Sequence, residues 1–217
     1  MSAILTIFAV VSFAQPMALF QGYLYGLTLI LLIGPVFFTL LQNTWENGFK
    51  SGFTVALGIV SGDALCVALL FGLGVSGWFL ESENQFWLGI IGAIILLVLG
   101  TLYTFRSPRT DGVKVNLDAG TYLNAFVQGF VVNFFNPFAF AVWIGAIALA
   151  SGLYDDTASQ SIFLGGMLMA ILTTDTLKVG LAHYIRPLLK TEWLSYIFKG
   201  IGVILCLSGM YLLFSVF

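Results

Sequence analysis

Long apolar runs alternate with short polar breaks along this chain. Residues 1–45, 84–105, 119–154, 157–174 and 200–217 carry no charge, and residues 51–80 carry only Asp63. The run that begins at residue 157 continues past Asp175 and Lys178 to about Ala182. A helix crosses the hydrocarbon of a bilayer with about 20 mostly apolar residues. The pattern therefore predicts six spanning helices, at roughly 20–42, 51–79, 86–105, 121–150, 159–183 and 197–217. The runs are continuous, not alternating, so they do not read as the strands of an outer-membrane barrel. The predicted fold class is all-α, a polytopic integral membrane protein.

The first run is too long for one helix. Residues 2–14 are apolar and end at Gln15-Pro16, and Ser12-Phe13-Ala14 resembles a cleavage site, but no Lys or Arg precedes it. Three readings stand for residues 1–16: a short interfacial or re-entrant helix, an extension of the first span, or an upstream start with the true one at Met17. A full seventh span is the remaining variant. Residues 17–217 read as a single transmembrane domain.

Composition supports lipid as the solvent. Only 8% of the 217 residues are charged and 59% are hydrophobic, against about a quarter charged in soluble domains. Too few polar residues exist to coat a water-soluble surface. The net charge of −2 leaves no basic face for nucleic acid. Cys66 and Cys206 stand alone in apolar runs, without metal or disulfide spacing. There is no serine nucleophile elbow, phosphate-binding glycine loop, metal-ligand cluster or heme motif. The loops are too short for a nucleotide-binding domain, so neither an enzyme, a cofactor nor ATP-driven pumping by this chain alone is expected.

Basic residues set the orientation. Lys50 lies in the first loop, Arg106, Arg109 and Lys114 in the third, Arg186 and Lys190 in the fifth, and Lys199 begins the last helix. The second and fourth loops hold Glu81, Glu83, Asp155 and Asp156 and no base. Odd loops then face the cytoplasm, and both termini of the six-helix core face outward.

Loop 106–120 separates three helices (about 20–105) from three more (about 121–217). A first helix running inward and a fourth running outward make the halves inverted, as in many secondary transporters. Each half carries matching marks. Helix one is broken at Gly34-Pro35 and helix four at Asn136-Pro137; helix two carries Asp63 and helix five Asp175. Proline removes a backbone donor and frees a carbonyl, which in lipid must face protein or a wet cavity. Such breaks can bind ions or carboxylates, or simply kink the helix.

Asp63 lies roughly 18 Å and Asp175 roughly 24 Å along their helices, at 1.5 Å per residue. A charge at such depth costs at least ~2.5–3.5 kcal/mol, so each acid must be paired, protonated or open to a wet cavity. Asp63 reads as a proton site or a ligand for a substrate ammonium, with a structural interhelical bond as the alternative. Asp175 has Lys178 one turn on, so a purely structural ion pair competes with function there. Thr173, Thr174 and Thr176 surround Asp175 and are placed to satisfy it. Asn133 and Asn136, three apart, would share one helix face, where they read a carboxylate or an ammonium or, equally, bridge helices. Gln42, Asn43 and Trp45 read as interfacial, His183 likewise, and Gln128 as a weaker candidate. The glycines, 24 in all, read as close-packing positions.

These residues together resemble the LysE/RhtB family of amino-acid exporters. The likeness rests on Gly34-Pro35-Val36-Phe37, Leu41-Gln42-Asn43, Gly48-Phe49-Lys50-Ser51-Gly52, and Leu57-Gly58 followed by Gly62-Asp63. Phe126, Gly129-Phe130, Asn133 and Asn136-Pro137 extend it into the second half. It covers about residues 20–217. It implies an inner-membrane exporter of amino acids or related metabolites, driven by a proton or ion gradient, with motif positions Gly34, Pro35, Asp63, Asn133, Asn136 and Pro137. Two departures stand out. Leu32-Ile33 precede the Gly-Pro where a small residue and proline are usual, and Phe138 follows the Asn-Pro where lysine is usual. The expected partners are a small-molecule substrate, membrane lipid and, through glycine seams, a second copy as a homodimer. A metal or cation exporter on the same scaffold and a non-transporting membrane subunit are the alternatives.

Overall fold

The computed structural model describes residues 2–31, 34–74, 82–105, 119–186 and 191–216. Among them every regular element is a helix. Helix α1 (Ser2–Thr28) continues through Pro16 and closes in a 3-10 turn at Leu29–Leu31, followed by α2 (Pro35–Asn47). A tight corner at Gly48, whose φ of 85° suits glycine, leads into α3 (Phe49–Val67). A π-helical turn, Ala68–Gly72, extends α3. The remaining helices are α4 (Ser82–Phe105), α5 (Ala119–Phe134), α6 (Pro137–Leu153), α7 (Thr157–Ile185) and α8 (Thr191–Val216). The predicted loop positions Glu81, Arg106, Arg109, Lys114 and Lys190 lie outside the described residues.

Two of the predicted spans are thus each two helices. The stretch 20–42 is divided between α1 and α2, because Gly34 is extended (φ −152°, ψ −169°) and Pro35 occupies the first helical position of α2. The stretch 121–150 is divided between α5 and α6, which meet at 66°. Among the described residues, Phe49–Gly72 and Thr157–Ile185 are each long and apolar enough to cross a membrane, and the bent pair passes the same test when its two helices are taken together. The exterior is apolar: Phe105, Leu123, Leu181, Tyr211 and Phe214 are all exposed, as lipid-facing residues are and as a water-facing surface would not sustain.

Three helix pairs make the most extensive contacts: α1 with α7, α3 with α5, and α4 with α8. Each is a close crossing on glycine. A Cβ on Gly22 or Gly26 of α1 would run into the backbone of Phe163 or Met167 on α7, and one on Gly166 of α7 into Leu19 and Tyr23 on α1. Gly58 of α3 meets Phe126 and Phe130 of α5, and Gly129 of α5 meets Val55 of α3. Gly100 and Gly202 do the same between α4 and α8. Without a hydrophobic drive between helices in lipid, such backbone approach supplies the packing energy.

Gln42, Asn43 and Trp45, read from the sequence as interfacial, are buried instead. Asn43 donates to Gln128 Oε1 at 2.8 Å, tying α2 to α5. Trp45 Nε1 donates to the Ala182 carbonyl at 2.9 Å, tying α2 to α7, and Gln42 donates to Glu46 within its own helix. Gln128 therefore matters as an anchor. His183 is exposed, edge-on to Phe49.

Candidate substrate site

Where the N-terminus of α2 approaches α3, α5, α6 and α7, a cavity of about 370 Å³ remains. Gly34, Pro35, Asp63, Asn133, Asn136, Asp175 and Lys178 all line it. The positions singled out from separate stretches of sequence are brought to one place. Pro137 stands at the first position of α6, and its side chain lies outside the described residues. The rest of the wall is largely apolar, with Leu29, Ile59, Phe138, Val142 and Ile171 prominent.

Asp63 lies on α3, 5% exposed. Trp143 of α6, 1% exposed, donates its indole N–H to Asp63 Oδ1 at 2.7 Å. This is a charge-assisted bond across two helices when the carboxylate is ionised. Asn133, in the last turn of α5, donates to the Ile59 carbonyl at 3.0 Å, one turn before Asp63. Gly62 leaves room for that approach, since a Cβ there would lie 3.3–3.4 Å from the Phe130 carbonyl, Asn133 Nδ2 and the Phe134 nitrogen. Trp143 escaped the sequence reading. It was legible only as a lone N–H donor two turns beyond Pro137 in an otherwise apolar helix.

The two asparagines do not share a helix face. The break places Asn136 beyond α5, where its Oδ1 accepts from the Phe138 N–H at 3.1 Å and caps α6. Both still reach the cavity. The matching N-terminus of α2 has no side-chain cap. Pro35, Val36 and Phe37 at that end border the cavity, so the first-turn backbone donors and positive dipole end of α2 lie at its wall.

On α7, Lys178 Nζ pairs with Asp175 Oδ1 at 3.0 Å, and its ammonium also sits 5.9 Å from the centre of the Phe37 ring. The expected help from neighbouring threonines is absent. Thr173, Thr174 and Thr176 bond back to Met169, Ile171 and Leu172 carbonyls of their own helix. A hydroxyl in a helix reaches the preceding turn at lower cost than it reaches a side chain beside it.

The cavity therefore combines one acid held by a neutral donor, one internally paired acid, an open helix N-terminus and an apolar wall. It can hold a small molecule carrying both signs of charge. A curated Bacillus subtilis (strain 168) protein, named "Putative amino acid efflux protein YcgF", is 25% identical over 201 residues, which covers 90% of this chain and 95% of that protein. No solved structure matches. The family model described as LysE type translocator matches residues 27–216, a stretch that contains every helix lining the cavity, and the chain belongs to that family of membrane translocators.

Proposed function

We propose that this chain is a secondary active exporter of amino acids or closely related metabolites in a bacterial inner membrane, driven by a proton or ion gradient. The observation that carries this reading is the single cavity in which Asp63, the uncapped start of α2 and the break at Asn136 converge. Asp63 takes a proton or the substrate ammonium, and the first turn of α2 receives the carboxylate. An amino-acid substrate agrees with the name of the Bacillus relative.

Six spans in two inverted halves fit the contact pattern. Exchange α1 with α5, α2 with α6, α3 with α7 and α4 with α8. The contacts α1–α7, α2–α3 and α2–α8 then become α5–α3, α6–α7 and α6–α4, each of which the fold contains. The reciprocal glycine crossings of α1 on α7 and α5 on α3 follow the same exchange. Rocking of such halves about a central site alternates access. With the basic loops inside, the termini of the six-helix core lie outside.

The test is Asp63→Asn in proteoliposomes loaded with labelled amino acids. The amide keeps an oxygen for the Trp143 N–H but cannot cycle a proton. Gradient-driven efflux is expected to disappear while the protein stays folded. Efflux at the normal rate by this variant would remove Asp63 from the mechanism.

A further inference from the structure

The geometry points to Lys178 as the residue that decides which amino acids the cavity accepts: its ammonium fills the Asp175 carboxylate, so the site takes a neutral, apolar amino acid and turns dibasic ones away. This rests on the proposed export function and specifies its substrate class. Three charged side chains line the cavity among the described residues, Asp63, Asp175 and Lys178. Asp175 and Lys178 cancel at 3.0 Å. Lys178 is held from a second side by the face of Phe37, which keeps the ammonium on the carboxylate. Asp63, by contrast, is held by the neutral indole of Trp143. The wall thus offers one uncancelled negative charge, enough for one ammonium.

A zwitterion fits this arrangement. Its ammonium goes to Asp63, its carboxylate to the open first turn of α2, and its side chain to the apolar wall of Ile59, Phe138, Val142 and Ile171. A volume of about 370 Å³ lies near the small end of ligand cavities, about 300–1,000 Å³, and suits a single amino acid. Arginine or lysine would bring a second cation to a wall whose remaining carboxylate is occupied. Glutamate would bring a second carboxylate to a wall whose one cation among the described residues, Lys178, is already paired with Asp175.

The experiment uses the full chain in proteoliposomes, with counterflow of labelled leucine challenged by unlabelled leucine, methionine, lysine, arginine or glutamate. Leucine and methionine are expected to compete, and the charged amino acids to need concentrations on the order of a hundredfold higher, as an unmatched charge inside a membrane requires. Lys178→Gln frees Asp175 and should improve arginine competition at least about tenfold relative to leucine. The double variant Asp175→Asn with Lys178→Gln removes both charges and should exclude arginine again. Equal competition by arginine and leucine in the unaltered protein overturns the inference, as does an unchanged arginine-to-leucine ratio in folded Lys178→Gln. Should that variant fail to fold by size-exclusion chromatography, Asp175→Asn takes its place: it leaves the Lys178 cation uncancelled and should weaken arginine competition further relative to leucine, and an unchanged ratio there overturns the inference. Movement of amino acids without charge discrimination defeats this inference only, whereas no movement of any amino acid defeats the export function as well.

Discussion

Replacing Trp143 with phenylalanine tests whether the Asp63 carboxylate is held by protein or only by water. The indole N–H donates at 2.7 Å across the α3–α6 contact, with both side chains almost fully buried. Phenylalanine keeps most of the ring and removes the donor. Interhelical side-chain hydrogen bonds in membranes average about 0.6 kcal/mol and reach about 1.7 kcal/mol, and bonds to a charged group are roughly twice as strong as neutral ones. The Trp143–Asp63 coupling should therefore fall at about 1.2–1.7 kcal/mol. A double-mutant cycle isolates it. The unaltered protein, Trp143→Phe, Asp63→Ala and the double variant would be unfolded reversibly in mixed detergent–SDS micelles and their stabilities compared. The ring volume lost in Trp143→Phe cancels in the cycle, which leaves the pair term. A coupling at or below about 0.5 kcal/mol would mean that cavity water serves the carboxylate as well as the indole does. Trp143 would then have no part in orienting Asp63.

Glycine substitutions should divide by location. Gly58→Ala drives a Cβ into the Phe126 and Phe130 backbone of α5 and should cost about 1–3 kcal/mol by overpacking. Gly145→Ala on exposed α6 surface meets nothing within 4 Å and should be neutral or stabilising by up to ~1 kcal/mol through helix propensity. The same unfolding assay reads both, and equal effects would contradict the crossing. Outside the membrane segments, Asp156 caps α7, with its carboxylate accepting from the Ser159 N–H at 2.7 Å. That backbone bond holds its pKa below the usual 3.8. The stabilisation is therefore complete above the unfolded value and is lost as pH falls through the lower folded one. The protection factor of the Ser159 amide, its exchange rate relative to the unstructured rate at the same pH, should hold at pH 5 and decline once pH falls below the ordinary carboxylate value. A protection factor that does not change with pH would show that the cap contributes nothing.

Much of the architecture was legible in the order of residues. Charge-free runs the length of a bilayer located the helices, and Gly34-Pro35 and Asn136-Pro137 marked the breaks, because proline cannot donate and disfavours helix in the residue before it. Asp63 stood out because a lone acid in hydrocarbon is costly, and Asp175 with Lys178 because a three-residue spacing puts both on one face. These are local or solvent-level effects, and each acts within a few residues or on a whole run.

What lay beyond the sequence were the contacts between helices. The periodicity of an apolar helix does not say which face meets which neighbour when lipid is as apolar as the packing. So the indole of Trp143 on Asp63, Asn43 on Gln128 and Trp45 on the Ala182 carbonyl depend on how the helices cross. The break also separated Asn133 from Asn136, which spacing alone had put on one face. The sequence by itself determined that Asp63, Asp175 and Lys178, set within long apolar runs, had to be paired or enclosed. Only the packing of backbones at Gly22, Gly58, Gly129 and Gly166 decided that those groups would share one cavity, because in lipid helices associate where their surfaces fit, a property of pairs of helices and not of any one segment.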